Sequence, residues 1–387
     1  MKPFIIPIFI PHYGCPNKCI YCNQNISIGQ QSLPTSEEVA NIIDTHLKSA
    51  AAHFKPSRYT QGGRATTKRA TAQLPNKNFA KPCVRRCKNQ NETPPEKTQF
   101  YRFAVQVAFY GGTFTGLPFD TQKNYLKTIA PYLKNKKVQS IRLSTRPDYI
   151  NQQNLDLLKS FSVKTIELGA QSMDNEVLRL SQRGYTAKKA KESSTLIKEN
   201  GFELGIQLMP GLPGDREDKI MKTSKQVCKI KPDFLRIYPT VVIKNTLLEK
   251  LYLKGEYAPL SLNQAISICK KMLLLFQSYS IPIIRMGLQP TETLLKPGII
   301  VAGPFHPAFR ELVLSSIIYD SLYSSIKENL RFKTYTFSVH PSELSQYIGN
   351  KKENIKKLNK EFPGFDIRFR KDEEVQQGKF ELSSSPG

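Results

Sequence analysis

Short apolar runs alternate with amphipathic segments along most of the chain, and this alternation predicts its main elements. Seven runs have the length and the β-branched and aromatic content of buried strands, at residues 4–11, 104–110, 138–144, 163–169, 202–208, 234–238 and 281–287. Helical periodicity follows most of them, at residues 120–134, 151–160, 186–200, 215–229 and 262–279. Strands alternating with helices predict an α/β fold with a parallel sheet, here an open or partial βα barrel.

A helix and a basic segment lie between the first two predicted strands. The pattern of Thr35 and Glu38 predicts a capping box at the start of a helix. Residues 55–100 then carry eleven Lys and Arg against two Asp and Glu, with few large apolar side chains. Such a composition cannot bury a face, so a disordered or loosely ordered basic insertion is expected there.

The pattern changes near residue 330 and predicts a second, smaller unit. A strand at 332–339, helices at 342–348 and 353–362 and a strand at 365–370 form a β-α-α-β unit at about residues 330–371. We therefore expect a core domain over residues 1–290 and a C-terminal extension over 291–387 that contains a small α+β domain. The tail at residues 383–387 is expected to be frayed.

Composition narrows the class of protein. The 387 residues carry a formal net charge of +25, which favours a polyanionic partner, with nucleic acid as the first candidate. Seven cysteines with a tight triplet suit a reducing compartment rather than a disulfide scaffold. The first apolar run contains prolines and lacks a cleavage site, and no run approaches the length of a membrane helix. A cytoplasmic protein without membrane contact is expected.

The candidate chemistry begins with Cys15, Cys19 and Cys22, which follow the first predicted strand with the spacing C-x3-C-x2-C. Three thiolates can hold three irons of a four-iron cluster and leave the fourth iron open to a ligand. The alternative is a structural zinc site whose fourth ligand is distant in sequence, such as His12, Cys83 or Cys87.

The cysteine spacing, with the aromatic Tyr21 directly before the last cysteine, resembles the signature of the radical S-adenosylmethionine (SAM) enzymes. The resemblance implies two cofactors, a [4Fe-4S] cluster on the three cysteines and SAM on the open iron. It also implies reductive cleavage of SAM to a 5′-deoxyadenosyl radical. Gly111, Gly112 and Thr113 after the second strand resemble the family's SAM-binding glycine motif. Polar residues at later strand ends complete the expected SAM pocket, which comprises Tyr21, Gly111, Gly112, Thr113, Ser144, Arg146, Gln171, Arg183 and Gln207.

Motifs around residues 167–172, 183–186, 209–214 and 236–244 narrow the resemblance to the radical SAM domain of the Elongator catalytic subunit, which modifies the wobble uridine of tRNA. They resemble the oxygen-independent coproporphyrinogen oxidases more distantly. The cysteine spacing is tighter than in Elongator, and residues after 290 show no acetyl-CoA-binding glycine loop. The acetyl-CoA-dependent reaction is therefore not expected, and a short bacterial-type relative without the acetyltransferase domain is.

The loop between the last two predicted helices resembles the core of KH domains, whose glycine loop clamps a nucleic-acid backbone. Ile348, Gly349 and Ile355 match the pattern, whereas Lys352 replaces its second glycine. Residues 349–371 carry eight Lys and Arg against three Asp and Glu. The alternative is a solvated basic helix-turn-helix packed on the barrel.

The remaining cysteines and histidines carry weaker predictions. Cys228 and Cys269 fall on predicted helices and are expected in the core. Cys83 and Cys87 could help to bind an auxiliary cluster, although two thiols are too few. His12 and His306 could touch substrate, with a structural role favoured for both. No catalytic residue is assigned.

The sequence therefore predicts a radical SAM enzyme that modifies RNA, with tRNA as the expected substrate and an electron donor such as flavodoxin or ferredoxin as a partner. Two alternatives remain open at this level. The same enzyme class could act on a small molecule such as a porphyrin, or the chain could be a non-enzymatic zinc and nucleic-acid binding protein.

Overall fold

A computed structural model describes residues 3–10, 14–15, 19–23, 32–53 and 104–385. The basic segment at residues 55–100 lies outside these ranges, together with His12, Cys83 and Cys87. The predictions made for them stay predictions.

A seven-stranded parallel sheet, curled into a half-barrel, forms the core of the molecule. Along the sheet its strands are β1 (Phe4–Ile10), β2 (Val105–Gly111), β3 (Ser140–Thr145), β4 (Val163–Gln171), β5 (Glu203–Leu208), β6 (Phe234–Ile237) and, after the separate β7 (Val242–Ile243), β8 (Ile283–Met286). The predicted α/β fold with an open βα barrel is confirmed. Because all seven strands run in one direction, their C-terminal ends meet at one edge of the sheet.

Helices lie between the strands and pack into one apolar core with the sheet. They are α1 (Ser36–His53), α2 (Phe119–Lys134), α3 (Gln152–Ser160), α4 (Asn175–Leu180), α5 (Ala187–Glu199), α6 (Glu217–Ile230), α7 (Leu247–Leu253) and α8 (Leu262–Ser278). The predicted capping box is present, since the Glu38 N–H donates to Thr35 Oγ1 over 3.1 Å and the Thr35 N–H donates to the Glu38 carboxylate over 2.7 Å. Within the described ranges no helix combines the length and apolar character needed to cross a membrane.

The two faces of the sheet differ in chemistry. Val107 and Phe109 of β2 are fully buried in the apolar core. Gln106, one position away and therefore on the opposite face, accepts a hydrogen bond from Arg142 Nε of β3 over 2.8 Å. Arg142 in turn contacts Glu167 of β4. The sheet thus turns an apolar face to the helices and a polar face to the interior of the half-barrel.

A small antiparallel sheet lies outside the barrel and was not predicted. After α9 (Glu292–Leu295), the strand β9 (Ile300–Ala302) pairs with β7. Ile20 and Tyr21, from the cysteine segment, pack against Val242 and Val301 of this sheet. It therefore connects the cysteine segment with the chain that leads into the C-terminal part.

The C-terminal part contains the four elements predicted for it together with a preceding helix and a further strand. Helix α10 (Phe309–Lys327) is followed by β10 (Thr334–Val339), α11 (Leu344–Ile348), α12 (Glu353–Glu361), β11 (Asp366–Lys371) and β12 (Phe380–Ser385). β10 is central, parallel to β11 and antiparallel to β12. The expectation of a frayed tail is wrong for residues 383–385. They pair with β10, while Phe380 and Leu382 of the same strand pack on the C-terminal core.

Helix α10, which periodicity did not predict, belongs to two cores. Phe309 and Val313 lie in the core of the barrel, whereas Leu322 and Ile326 lie in that of the C-terminal unit. One helix thus packs on both parts, and the proposed division near residue 290 stays a prediction. Cys228 and Cys269 are buried in the barrel core as expected.

Candidate active site

The cysteine segment lies over the C-terminal edge of the sheet and is tied to its surroundings by backbone hydrogen bonds. The Cys22 N–H donates to the Cys19 carbonyl over 3.0 Å and forms a turn, and the Leu248 N–H donates to the Ile20 carbonyl over 2.8 Å. Cys19 is buried, while Cys15 and Cys22 are half-buried. Cys19 and Cys22 therefore lie on one hydrogen-bonded turn that is tied to α7.

Two guanidinium groups lie directly against the thiols. Arg146 Nη1 is 3.5 Å from Cys15 Sγ and 3.6 Å from Cys19 Sγ. Arg183 Nη1 is 2.9 Å from Cys19 Sγ and donates to Tyr21 Oη over 2.8 Å. Both arginines are about 95% buried. Since thiolates bound to iron carry negative charge, two desolvated cations provide the complementary charge where solvent cannot screen it.

The two arginines are fixed by further contacts. Arg146 forms a bidentate pair with the Asp148 carboxylate at 2.9 and 2.7 Å. Burial opposes the charged form of Arg146, yet the Asp148 hydrogen bond keeps the guanidinium pKa above its ordinary value. Arg183 donates to the Gly169 carbonyl over 2.8 Å and to Tyr185 Oη over 2.9 Å. Burial raises the pKa of Tyr185 to about 12, so its hydroxyl stays protonated and donates to the Gly169 carbonyl in turn.

This donor set fits a four-iron cluster. It offers three thiols, and the guanidinium groups that contact two of them, Cys15 and Cys19, are cationic. In the described part of the chain, no three Cys, His, Asp or Glu side chains converge closely enough to hold a single metal ion.

Gly111 and Gly112 lie beside the cysteine segment, at the end of β2. Gly111 pairs with Ile10 at the end of β1 and has a φ of +101°, a conformation that L side chains rarely adopt. The Gly112 N–H donates to the Ile10 carbonyl over 2.5 Å, and Thr113 is buried. The glycine motif therefore lies directly beside the end of β1, the strand that precedes the cysteine segment.

Gly14 and Gly116, which sequence reasoning missed, bring this edge and the cysteine segment into contact. A Cβ on Gly14, whose φ is +73°, would overlap the Thr113 carbonyl and lie 2.7 Å from the Gly116 carbonyl carbon. A Cβ on Gly116 would overlap the Gly14 carbonyl. The only signal in the sequence was a glycine directly before the first cysteine of the triplet.

The other residues predicted to line the SAM pocket form two groups. Gln207 Nε2 donates to Gln171 Oε1 over 3.2 Å, and Gln171 adopts a left-handed φ of +63° although it is buried. Gly169 links this pair to Arg183, since Gln171 Nε2 lies 3.0 Å from a Cβ built there. Ser144 is half-buried and pairs in register with Glu167, one layer deeper in the barrel than the two glutamines.

A buried ionic network below the site was also missed. Glu167 contacts Arg142 at 2.8 Å and Arg236 at 2.7 Å. Arg236 also donates to Tyr110 Oη over 2.9 Å and to Tyr238 Oη over 3.1 Å. Burial, together with the Glu167 carboxylate, raises the pKa of Tyr110 to about 12. The signal in the sequence was one charged residue, Arg142, Glu167 or Arg236, within each of three strands that are rich in apolar residues.

Comparisons with known proteins show which families and proteins this chain is similar to. The model of the radical SAM superfamily matches residues 96–227, and that of the radical SAM C-terminal domain matches residues 232–318. The cysteine triplet lies before both ranges. A tRNA uridine(34) acetyltransferase of Methanocaldococcus jannaschii is 27% identical over 184 residues, which are 42% of this chain and 34% of that protein.

Elongator complex protein 3 of Homo sapiens is 26% identical over 231 residues, 54% of this chain and 41% of that protein. The chain thus spans between a third and a half of these two curated relatives. The solved structure of Elp3 from the archaeon Methanocaldococcus infernus has 23% identity and a TM-score of 0.48, covering 58% of this chain and 54% of its own.

The resemblance predicted from the sequence is confirmed by the two family models and the sequence relatives. With its parallel half-barrel, the two matching family models and its relatives, the chain is an enzyme that belongs to the radical SAM superfamily, whose cofactors are a [4Fe-4S] cluster and SAM.

Proposed function

We propose that the enzyme binds its cluster through Cys15, Cys19 and Cys22 and uses the radical from reductive SAM cleavage to modify RNA, in particular tRNA. The observation that carries the proposal is the contact of two buried guanidinium groups with the thiols, at 2.9 to 3.6 Å. When bound, the cluster supplies the electron that divides SAM into methionine and a 5′-deoxyadenosyl radical. Bound to the three cysteines, the cluster would thus supply the chemistry needed to remove a hydrogen atom from the substrate.

In this proposal the chain's own residues bind the cluster and SAM and orient them. Arg146 and Arg183 compensate the charge of the cluster thiolates and fix the turn that carries them. Gly111 and Gly112 let the backbone approach SAM closely. Gln171 and Gln207 present paired amides, which can bind the polar groups of SAM. Thr113, Ser144 and Tyr21 complete the proposed SAM pocket.

The tRNA substrate is supported by two observations of different kinds. The relatives of this chain include tRNA uridine(34) acetyltransferases, which by that name act on tRNA. The formal net charge of +25 suits a polyanionic substrate. Acetyl transfer is not part of the proposal, because the chain matches only a third of the acetyltransferase of Methanocaldococcus jannaschii.

The proposal includes an electron donor such as flavodoxin or ferredoxin and a cytoplasmic location. Reductive cleavage of each SAM consumes one electron, which a small redox protein would deliver to the cluster.

Anaerobic reconstitution with iron and sulfide tests the proposal. Electron paramagnetic resonance (EPR) of the reduced protein is recorded with and without SAM, and 5′-deoxyadenosine is quantified with and without tRNA. We expect a four-iron signal that changes on SAM addition and 5′-deoxyadenosine formation that tRNA stimulates.

Cys19→Ala is expected to abolish both the signal and SAM cleavage. Cys228→Ala, which removes a buried thiol from the barrel core far from the triplet in sequence, is the matched control and should retain both. A colourless wild-type protein that binds one zinc ion and does not cleave SAM would refute the proposal.

A further inference from the structure

A serine hydroxyl beside the cysteine segment is fully buried and unpaired in the described part of the chain. Ser181, which directly follows α4, has 0% of its surface exposed. Among the residues that the structure describes, no group donates a hydrogen bond to its Oγ or accepts one from it. An unpaired polar group away from water costs the folded state free energy, so such groups are rare and indicate a partner from outside the chain.

The backbone on either side of this hydroxyl contacts the cysteine segment. The Ile20 N–H, which directly follows Cys19, donates to the Ser181 carbonyl over 3.4 Å. Two residues beyond Ser181, the guanidinium group of Arg183 lies 2.9 Å from Cys19 Sγ. Ser181 therefore lies beside Cys19, which is the most buried of the three cysteines in the triplet.

The turn that positions Ser181 is formed by its backbone. The Ser181 N–H donates to the Val177 carbonyl over 3.0 Å, and the Arg183 N–H donates to the Leu178 carbonyl over 2.9 Å. Gln182, between them, has a left-handed φ of +52° that reverses the chain at the end of α4. The turn thus uses the backbone of Ser181 and leaves its hydroxyl without a structural role.

The hydroxyl of Ser181 differs in its position from other buried atoms without a hydrogen bond. In the described ranges the others are Gln122 Oε1, Arg236 Nε and Thr240 Oγ1. Of these four residues, only Ser181 shares a hydrogen bond with the described part of the cysteine segment at residues 19–23. A partner for its hydroxyl is therefore expected where the cluster is bound.

Sulfur atoms of a cluster are suitable acceptors for this hydroxyl. A serine hydroxyl donates one hydrogen bond, and its hydrogen rotates to suit the acceptor. Hydrogen bonds to the sulfurs of an iron–sulfur cluster help to set its reduction potential. The guanidinium groups of Arg146 and Arg183 already contact Cys15 and Cys19 from the same side of the chain's interior. Ser181 adds a neutral donor to these two cationic ones.

We propose that the Ser181 hydroxyl donates a hydrogen bond to a sulfur of the bound four-iron cluster and raises the reduction potential of the cluster. The inference rests on the proposed function, because it requires the cluster on Cys15, Cys19 and Cys22. Reduction adds negative charge, so a hydrogen bond to sulfur stabilises the reduced form more than the oxidised form. Ser181 therefore makes the cluster easier to reduce.

A redox titration of the full-length, reconstituted protein, followed by EPR of the reduced cluster, tests the inference. Ser181→Ala is compared with Ser224→Ala, which removes an equally buried hydroxyl from α6, where it donates to the Ile220 carbonyl over 2.9 Å. Loss of a hydrogen bond to a charged acceptor should lower the equilibrium constant for reduction by about tenfold. For a one-electron couple this change lowers the midpoint potential by about 59 mV. Ser224→Ala should keep the wild-type potential.

Urea unfolding of the apoproteins gives a second, independent readout. Ser181→Ala should have a urea midpoint no lower than that of the wild type, because the hydroxyl that it removes is unpaired. Ser224→Ala should have a lower midpoint, because it breaks a hydrogen bond within α6. A midpoint that falls as far in Ser181→Ala as in Ser224→Ala would show that the Ser181 hydroxyl is already bonded in the apoprotein, for example to water, and would overturn the inference.

The remaining outcomes separate this inference from the proposed function. A midpoint potential in Ser181→Ala equal to or above that of the wild type would overturn the inference and leave the proposed function intact, provided that the wild-type four-iron signal responds to SAM. Ser181→Ala protein that no longer binds iron would also overturn it, because the hydrogen bond tunes a cluster that the three cysteines bind. Wild-type protein that assembles no four-iron cluster would overturn both.

Discussion

Gly14 and Gly116 face each other beside Cys15 so closely that neither position has room for a methyl group. A Cβ on either glycine would overlap backbone atoms, which cannot rotate away as a side chain can. This contact fixes the distance between the cysteine segment and the residues that follow the Gly111-Gly112 motif.

Gly14→Ala is expected to lower the iron content of the reconstituted protein, because the methyl group would displace Cys15 from the end of β2. Iron and sulfide per chain measure the effect. Gly255→Ala is the matched control, since Gly255 has a similar φ of +75° but no atom within 4 Å of the place that a Cβ would take. Both variants carry the strain of about 1–2 kcal/mol, so an equal loss of iron would contradict this explanation.

Arg183→Lys is expected to lower 5′-deoxyadenosine formation by about tenfold to a hundredfold. Lysine keeps the charge but cannot contact Cys19 Sγ, Tyr21 and the Gly169 carbonyl at once, as the planar guanidinium does. Arg179→Lys, on the exposed side of α4, should leave the rate unchanged. A wild-type rate in Arg183→Lys would show that a positive charge at this position is enough for 5′-deoxyadenosine formation.

Glu167→Gln is expected to destabilise the fold by about 3–5 kcal/mol, because it leaves Arg142 and Arg236 buried without their counter-charge. The urea midpoint of the apoprotein measures this loss. Glu203→Gln is the control, as its partner Lys164 is 63% exposed and such a pair contributes less than about 1 kcal/mol. Similar midpoints for the two variants would argue against a structural role for the network.

Asp215→Asn should change how stability depends on pH. Burial raises the pKa of Asp215 from 3.8 to about 7, although backbone N–H groups of Gly211 and Arg216 donate to the carboxylate. Because the folded state binds this proton more tightly, the side chain's stabilising contribution is complete below about pH 4 and is lost as the pH rises to about 7.

Urea midpoints from pH 4 to 8 for the wild-type apoprotein and Asp215→Asn test the direction of this pH dependence. The wild type should lose up to about 1.4 kcal/mol per pH unit relative to the variant in this window, with no further loss above it. Parallel profiles would mean that the carboxyl group titrates at an ordinary pKa.

Lys352→Gly should raise the stability of the C-terminal unit while it lowers RNA affinity. Glycine adopts a φ of +60° without the cost paid by lysine, so the unfolding free energy of the C-terminal unit should rise by up to about 1 kcal/mol. RNA affinity should fall, because one cation leaves the KH-like loop between α11 and α12. Urea unfolding and fluorescence anisotropy with a labelled RNA on the same preparation test both, and a variant that is more stable and binds RNA equally well would show that Lys352 does not contact RNA.

The strands of the barrel were predictable because each is a short apolar run between turn residues, as at residues 163–169 and 202–208. The residues proposed for the SAM pocket were predicted at strand ends, which parallel sheets bring to one edge. The thiol contacts of Arg146 and Arg183 required the fold, because the partners are more than a hundred residues apart in the chain.

Other features left no periodic signal that could be recognised. Apolar residues occur around much of α10, since it packs on two cores rather than one. The strands β7 and β9 contain two and three residues, too few for alternation to be detected. β12 begins after a turn-rich segment, and the serines at its end made the strand resemble a polar tail.

The position of β1 at the end of the strand order has a consequence for folding. Its seven residues pair with β2, about a hundred residues later in the chain, so forming this pair of strands closes a long loop. The strands β3, β4 and β5, in contrast, are joined by connections of a few tens of residues. We expect β1 to dock late, onto a sheet that is already formed. The thiols would then reach their guanidinium partners only in the last step of folding. Iron incorporation would stabilise the docked position of this edge strand.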